Sequence, residues 1–264
     1  MTEPIYRIYA LRYATRDARR HEHFIGGDPH DAPMPMDYFV WVAVNDDRAI
    51  VIDTGFTAEV AARRKRNHLR CPVESLPLLG VDPDTVEDVI ISHLHYDHVG
   101  SFHKFAKALF HLQEAEMHYA CGHYMKHHKL RHSFEVEDVV GIVRMTYADR
   151  TVFHLGDGEV APGITVHAVG GHSMGLQCVR VNSARGQVVL ASDVTHFYEN
   201  MDSGRPFTTA FHVGAMLDGF DTLRALAPSP QHIVPGHDPE VMRRYPAVPG
   251  LKGIAVELHR DPSA

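Results

Sequence analysis

The segment 91–100 limits what this chain can fold into more than any other stretch. It follows an apolar run and reads Ile-Ser-His-Leu-His-Tyr-Asp-His-Val-Gly. A strand that ends here points His93 and His95 to the same side, because side chains alternate along an extended backbone. A tight turn after His95 can then direct Asp97 and His98 to a second position. Imidazole and carboxylate groups are common ligands of zinc and iron, so the segment predicts a strand that delivers ligands for two metal ions into a loop.

The chain contains 22 histidines, so a chance cluster is the alternative interpretation. The context argues against chance, since an apolar strand followed by a glycine-bounded turn is what a metal-binding loop requires. Three further residues occur at the ends of apolar strands, where a rigid scaffold holds functional loops. His172 follows Gly-Gly, Asp193 follows the run 187–191, and His237 lies within Pro-Gly-His.

The order of these residues resembles the metallo-β-lactamase superfamily. The pattern is His-x-His-x-Asp-His, then a lone histidine, an aspartate and a histidine in Pro-Gly-His. Asp193 follows His172 by 21 residues and precedes His237 by 44, which is similar to the N-acyl homoserine lactonase branch. The resemblance spans the chain from Asp53, within Asp-Thr-Gly, to His237.

The resemblance implies an α/β fold, a four-layer αββα sandwich, with two divalent metal ions, Zn²⁺ by expectation, at one edge of the sheets. Asp53 would orient a ligand without binding metal. The resemblance assigns seven metal ligands: His93, His95 and His172 for the first ion, Asp97, His98 and His237 for the second, and Asp193 as the bridge between them.

The implied reaction is hydrolytic opening of a lactone ring by a metal-bridging hydroxide, which gives a hydroxy acid. Asp97 would transfer the proton, and Asp193 would hold the two ions together. Many lactonases of this branch carry a tyrosine three residues after the bridging aspartate, but this chain has His196 there and Tyr198 two residues later. Either side chain is a candidate to donate to the developing oxyanion.

Other functions use similar ligands and remain open. A related hydrolase of the superfamily could act on another ester, a thioester or an amide, because two metal ions serve all these carbonyl groups. A nuclease is disfavoured because the chain lacks a basic surface. Bound iron with oxygen consumption would favour an oxygenase or flavodiiron-type enzyme. A binding protein with a vestigial site has no need of a complete ligand set.

Composition favours an ordinary globular protein with a small-molecule substrate. The 264 residues are 44% hydrophobic and 22% charged, and we interpret residues 1–264 as a single hydrolase domain with a helical cap inserted at about 120–150. The net charge of −7 predicts no nucleic-acid or membrane partner. The three separated cysteines and the absence of a signal-like segment in residues 1–20 predict a cytoplasmic protein.

Local patterns predict several elements. We expect an outer strand at 5–11, a hairpin at 38–52, a helix from Thr57 to about Arg70, and a second hairpin at 177–191. Within that helix the basic cluster 63–66 is interpreted as a solvated face. The loop 14–36 either overhangs the site through His21, His23 and Phe24 or only crosses the surface.

The segment 118–132 is rich in histidine. Its pairs at i, i+4 spacing could chelate a metal, but without a nearby carboxylate they are interpreted as exposed and non-ligating: His123 with His127, and His128 with His132. Larger apolar side chains of the cap are candidates for a substrate wall or a homodimer contact, namely Tyr124, Met125, Phe134 and Tyr147.

Overall fold

Two β-sheets lie face to face at the centre of the computed structural model, which describes residues 3–263. Strands and helices are numbered in chain order. The eight strands of the first sheet are β1 (Arg7–Arg16), β2 (Met36–Val44), β3 (Ala49–Ile52), β4 (Asn67–His68), β5 (Asp88–Ile90), β6 (Leu109–Gln113), β7 (Thr151–His154) and β13 (Ala255–Glu257). The five strands of the second sheet are β8 (Gly158–Ala161), β9 (Ile164–Ala168), β10 (Gln177–Ser183), β11 (Gly186–Ser192) and β12 (Ile233–Pro235).

Helices connect the strands and cover the outer faces. They are α1 (Ala58–Arg64), α2 (Tyr96–Val99), α3 (Glu114–Cys121), α4 (His128–Arg131), α5 (Val136–Tyr147), α6 (Tyr198–Ser203), α7 (Val213–Leu226) and α8 (Glu240–Arg244). Short 3-10 turns occur at Arg20–Glu22, Val73–Leu79, Phe102–Lys104, His123–Lys126 and Pro230–His232. Within residues 3–263, none of the helices has the length and apolar character that crossing a membrane requires.

Strand order places the functional loops on one edge. The first sheet has the order β13-β1-β2-β3-β5-β6-β7, with β4 beside β1, and the second has the order β12-β11-β10-β9-β8. Pairing is antiparallel from β1 to β3 and parallel from β3 to β7. In the second sheet β11 and β12 are also parallel. The carboxyl ends of parallel strands share an edge, so the loops after them converge.

Alternating apolar residues produce the layers. On β11, Val188 and Leu190 point into the core between the two sheets. Val189 and Ala191 lie on the opposite face of the strand, where they share a core with Phe220 of α7. The outer face of the first sheet packs in the same way against the helices that follow it: Val51, Val89 and Phe110 share a core with Tyr119, Val139 and Ile142. The four-layer αββα sandwich predicted from the sequence is therefore confirmed.

The two predicted hairpins are confirmed as β2–β3 and β10–β11, but two other elements differ from expectation. β1 is longer than predicted and lies inside the sheet, with β2 on one side and β13 on the other. Helix α1 ends at Arg64, because Lys65 adopts a left-handed conformation with φ 56° and the chain turns back. Asn67 and His68 then pair with β1, and nothing in the run of basic residues 63–66 indicates this pairing.

Candidate metal centre

The structure brings all seven predicted ligands to one edge of the sandwich. Each lies at or just beyond a strand end: His93, His95, Asp97 and His98 after β5, His172 after β9, Asp193 after β11 and His237 after β12. Every one of them is buried, with Asp97 the most exposed at 9%. The ligand-bearing loops come from both sheets, so the site depends on the whole sandwich.

The first group of donors consists of three imidazoles. His172 Nε2 lies 3.1 Å from His93 Nε2 and 2.8 Å from His95 Nδ1, and the latter two nitrogens are 3.0 Å apart. Burial lowers the pKa of each of the three rings, most strongly for His93 and His95. Neutral imidazole is the form that binds metal. Nitrogen ligands around tetrahedral zinc lie roughly 3.3 Å apart, so a small adjustment of the rings admits an ion.

The second group contains Asp97, His98 and His237, whose donor atoms lie within 4.8 Å of one another. The Nε2 atoms of both histidines and Oδ1 of Asp193 are buried and have no hydrogen-bond partner among residues 3–263. Buried polar atoms without a partner are rare, and a bound ion is a standard reason for them. These atoms converge, since Asp193 Oδ1 lies 3.0 Å from His237 Nε2 and 3.3 Å from His98 Nε2. The donor set therefore fits a divalent cation.

Asp193 lies between the two groups. Its Oδ2 faces the first group at 3.2 Å from His172 Nε2, while its Oδ1 faces the second group. Burial raises the pKa of the Asp193 carboxyl, but the surrounding imidazoles, with His237 foremost, outweigh burial and hold the pKa well below its usual value. A carboxylate with one oxygen on each side can connect two cations.

Hydrogen bonds behind the ligands fix their orientation. Asp53 Oδ2 lies 2.7 Å from His98 Nδ1, and Asp53 Oδ1 accepts the Ser92 backbone N–H at 2.7 Å. His172 Nδ1 lies 2.8 Å from the Thr209 carbonyl oxygen, and His237 Nδ1 lies 2.9 Å from the Asp37 carbonyl oxygen. With Nδ1 donating, each ring presents Nε2 to the site.

We expect Asp53→Asn to weaken metal binding about 10- to 100-fold. The substitution removes the negative charge behind His98, and the His98 ring then loses its preference for the tautomer that presents Nε2. Competition with a chromogenic chelator measures this affinity. Asp88→Asn is a matched control, since Asp88 Oδ1 lies 2.9 Å from His111 Nε2 on β6, outside the metal-ligand groups. Equal metal affinity in the two variants would contradict the role of Asp53.

Glu116 on α3 supports the site but carries no signal in the sequence. It is fully buried and accepts backbone N–H groups of Leu94 and Gly175, each at 2.9 Å, together with the Ser173 hydroxyl. A Cβ at Gly175 would lie 2.1 Å from the Glu116 backbone nitrogen, so the loop after His172 must pass close to α3. One carboxylate thus joins two ligand-bearing loops.

The two candidates for oxyanion stabilisation occupy different places. His196 lines the cavity above the ligands, where its Nε2 lies 2.9 Å from Asp193 Oδ2 and its ring stacks on Phe207 at 3.4 Å. Burial lowers the pKa of His196 to about 3, so the ring is neutral. Tyr198 does not line this cavity; its ring lies in the core between the sheets, under the Arg244 guanidinium. The structure therefore brings His196 to the ligands and leaves Tyr198 apart.

The cavity over the ligands has a volume of about 190 Å³ and is lined mainly by polar side chains. From the loop 14–36, His23 lines it, whereas His21 and Phe24 do not. The interpretation of cluster 63–66 as a solvated face is wrong for Arg64 and Arg66, which line the cavity and are only partly exposed. Arg64 reaches the cavity from the last turn of α1, and the early end of the helix brings Arg66 to the cavity wall.

The histidine pairs of segment 118–132 contribute to none of the metal-ligand groups found among residues 3–263. Of the large apolar residues in the predicted cap, Phe134 packs its ring edge-on against His95 with a centroid distance of 4.7 Å. Tyr147 is 89% exposed at the end of α5. Phe134 thus contacts a predicted ligand, whereas Tyr147 faces solvent.

The sandwich, with two donor groups at one edge, defines a class of protein that sequence comparison identifies. A sequence model of the metallo-β-lactamase superfamily matches residues 34–237. The chain belongs to the metallo-β-lactamase superfamily, as the ligand pattern predicted.

The individual relatives that match the sequence within that family are N-acyl homoserine lactonases. The N-acyl homoserine lactonase AiiA of Bacillus thuringiensis subsp. kurstaki is 28% identical over 173 residues, which cover 64% of this chain and 62% of that protein. The matched region thus spans less than two thirds of the relative's length. AttM, an N-acyl homoserine lactonase of Rhizobium johnstonii, is 30% identical over 129 residues, covering 43% of this chain and 48% of AttM.

Solved structures show the same fold. A quorum-quenching N-acyl homoserine lactone lactonase superimposes with a TM-score of 0.75 at 21% identity, covering 90% of this chain and 95% of that one. AidC, a dizinc quorum-quenching lactonase, superimposes with a TM-score of 0.69 at 14% identity and covers 90% of each chain. At these identities the structural similarity establishes the architecture.

Proposed function

We propose that this protein is a metal-dependent hydrolase that opens a lactone ring to a hydroxy acid, with two Zn²⁺ ions as cofactors. The observation that carries the proposal is the position of Asp193 between two converging groups of buried donors. The relatives that match the sequence are N-acyl homoserine lactonases, which supports the lactone as substrate class. Residues 1–264 would form a single catalytic domain with a helical cap at about 120–150.

The proposed ligands are the seven side chains assigned from the sequence: His93, His95 and His172 to one ion, Asp97, His98 and His237 to the other, and Asp193 to both. Two divalent ions held there would supply Lewis acidity and lower the pKa of a coordinated water to about 7. The neutral state of the first three rings suits this role, because a protonated imidazole cannot bind a cation.

Asp97 is the proposed proton carrier. Its Oδ2 lies 3.8 Å from both His98 Nε2 and His237 Nε2, and the side chain also lines the cavity. It is therefore within reach of a substrate as well as of the ligands. In this position it can accept the proton of the attacking water and return it to the leaving alkoxide. The ring oxygen leaves as the hydroxyl group of the product.

His196 is the proposed aid at the carbonyl, through its effect on Asp193. Its Nε2–H donates to Asp193 Oδ2, and stacking on Phe207 holds the ring in the cavity wall. A neutral imidazole has one N–H, which is used here for Asp193, so the ring would act at the carbonyl indirectly, by orienting the carboxylate. Tyr198, in its position under Arg244, has no part in the proposed reaction.

The direct test combines metal analysis with titration of the acid released by hydrolysis. We expect about two zinc ions per chain and turnover of simple and acylated lactones, lost on chelation and restored by zinc. A thioester and a cephalosporin, measured in parallel, test the alternative carbonyl substrates. Faster turnover of either than of all lactones would replace the substrate class but keep the hydrolase, and a protein with fewer than one ion per chain and no turnover would refute both.

We expect His196→Phe to lower kcat for lactones about 10- to 100-fold while the metal content stays at the wild-type value. Phenylalanine retains the stacking on Phe207 but cannot donate to Asp193. Tyr198→Phe is the matched control and should leave kcat within about twofold, because its hydroxyl lies outside the cavity. An unchanged kcat in His196→Phe would mean that the metal ions polarise the carbonyl without help from His196.

A further inference from the structure

Arg66 is a positively charged side chain in the wall of the cavity that the proposed reaction does not use. It lines the same cavity as Asp97 and His237 and is only partly exposed. Its Nε–H donates to Tyr96 Oη at 3.0 Å and its Nη1–H donates to the Arg64 carbonyl oxygen at 2.8 Å. Guanidinium has five N–H donors, so these two bonds hold the group in place and leave three donors for a ligand.

The two other arginines of the cavity wall are already paired with carboxylates. Arg16 forms an ion pair with Glu22, and Arg64 Nε lies 2.7 Å from Glu135 Oε1. For Arg66, by contrast, the part of the chain that the structure describes contains no ion-pair partner. Positive charge that is removed from water without a partner is costly, and it is usually retained where an anion binds.

The surroundings of Arg66 are suited to a carboxylate next to the second ligand group. Tyr96 Oη accepts the Arg66 Nε–H and lies 3.4 Å from Tyr38 Oη, where either hydroxyl can donate to the other, so one of the two hydroxyl protons stays available to a ligand. The Tyr38 ring in turn packs edge-on against His237 with a centroid distance of 5.1 Å. An anion at Arg66 thus meets a planar guanidinium fork and phenol hydroxyls, a combination that favours carboxylate.

On the basis of the proposed function, we infer that Arg66 binds a carboxylate substituent of the substrate and that the protein prefers lactones carrying such a group. A neutral acyl chain would gain nothing from this contact. The mainly polar lining of the cavity also suits a charged substituent better than a long acyl chain. Arg66 is in this view a specificity-determining residue, since it touches the substrate away from the reacting carbonyl.

The test compares two lactones of the same size, a γ-butyrolactone with a ring carboxylate and its ring carboxamide. We expect the wild-type, zinc-loaded protein to show a kcat/KM at least about 10-fold higher for the carboxylate, expressed mainly in KM. Arg66→Gln should lower kcat/KM for the carboxylate about 10- to 100-fold and lower it for the carboxamide by a clearly smaller factor, because a neutral amide oxygen gains less from a guanidinium than a carboxylate does. Arg66→Lys should recover part of the preference, because it restores charge without the fork.

Arg63→Gln is the matched control, because Arg63 belongs to the same basic cluster but does not line the cavity. Binding of tetrahydrofuran-2-carboxylate, which cannot be hydrolysed, gives a readout without turnover. Calorimetry should show binding to the wild type and to Arg63→Gln, and at least about 10-fold weaker binding to Arg66→Gln. Circular dichroism of each variant identifies any loss of fold. If Arg66→Gln does not fold, the carboxylate preference of the wild type and of Arg66→Lys decides whether Arg66 binds an anion.

The outcomes separate this inference from the proposed function. If the wild type hydrolyses the carboxylate and carboxamide lactones equally well, the anion site is refuted while the lactonase stands. The same conclusion follows if Arg66→Gln slows both substrates alike, which would make the residue structural. If no lactone is hydrolysed, the proposed function fails, and calorimetry with the carboxylate still decides whether Arg66 binds an anion.

Discussion

Asp193→Ala should lower the rate of the proposed lactone hydrolysis by on the order of 1,000-fold or more and reduce the bound metal from the proposed two ions per chain to one or fewer. The reason is geometric, since each carboxylate oxygen of Asp193 faces a different donor group. Alanine removes both oxygens at once. It also removes the negative charge that would offset the charge of the two cations beside the imidazoles.

Asp193→Asn separates charge from shape, because the amide keeps one oxygen and the same volume. It should retain more metal than Asp193→Ala but remain severely impaired, since a neutral amide bridges cations poorly. Asp202→Ala, at an exposed position on α6, is the control and should match the wild type. Metal content by mass spectrometry and initial rates by pH titration measure the three variants, and normal activity in Asp193→Ala would refute the bridging role.

The residues that gather at the candidate metal centre could be predicted from the sequence because each is tied to a strong local signal. His93 and His95 follow an apolar strand at alternate positions, and His237 lies in Pro-Gly-His. An apolar strand fixes the position of the loop that follows it, so a polar residue in that loop has a defined place in the fold. The order of the ligands along the chain then identified the family and hence the sandwich.

The wall of the cavity could not be predicted in this way. Arg66 belongs to a basic run that has the appearance of a solvated helix, and only the left-handed Lys65 and the pairing of 67–68 with β1 turn it inward. From the sequence alone Tyr198 is as good a candidate for the site as His196, because the two are only two residues apart. The start of α6 at Tyr198 directs its side chain into the core, and this depends on packing with Arg244 that is distant in sequence.

Glu116 shows why support for a site is hard to read from sequence. Its partners Leu94, Ser173 and Gly175 lie in two loops that come together only in the folded chain. Nothing in the local sequence distinguishes it from Glu114, which lies two residues earlier on the same helix. Only the close passage of the loop at Gly175 past α3 makes room for a buried carboxylate and supplies its donors.

We expect Glu116→Ala to lower the free energy of unfolding by about 3 kcal/mol, because two backbone N–H groups and one hydroxyl lose their buried acceptor. The loops that carry His95 and His172 should then move independently, so metal affinity falls as well. Denaturant unfolding of the metal-free protein measures the first effect and chelator competition the second. Added zinc should not restore the whole of the lost stability, because the hydrogen bonds of Glu116 are made within the protein and not to the metal.

Glu114→Ala provides the matched control, because it removes a carboxylate from the same turn of α3 without touching either loop, and it should change the free energy of unfolding by less than about 0.5 kcal/mol. Glu116→Gln should fall between the two, since the amide oxygen still accepts from one loop while its NH₂ group faces a donor of the other. If Glu116→Ala and Glu114→Ala unfold at the same denaturant concentration, the buried carboxylate does not hold the loops together. The ligand positions would then depend on the strand ends alone.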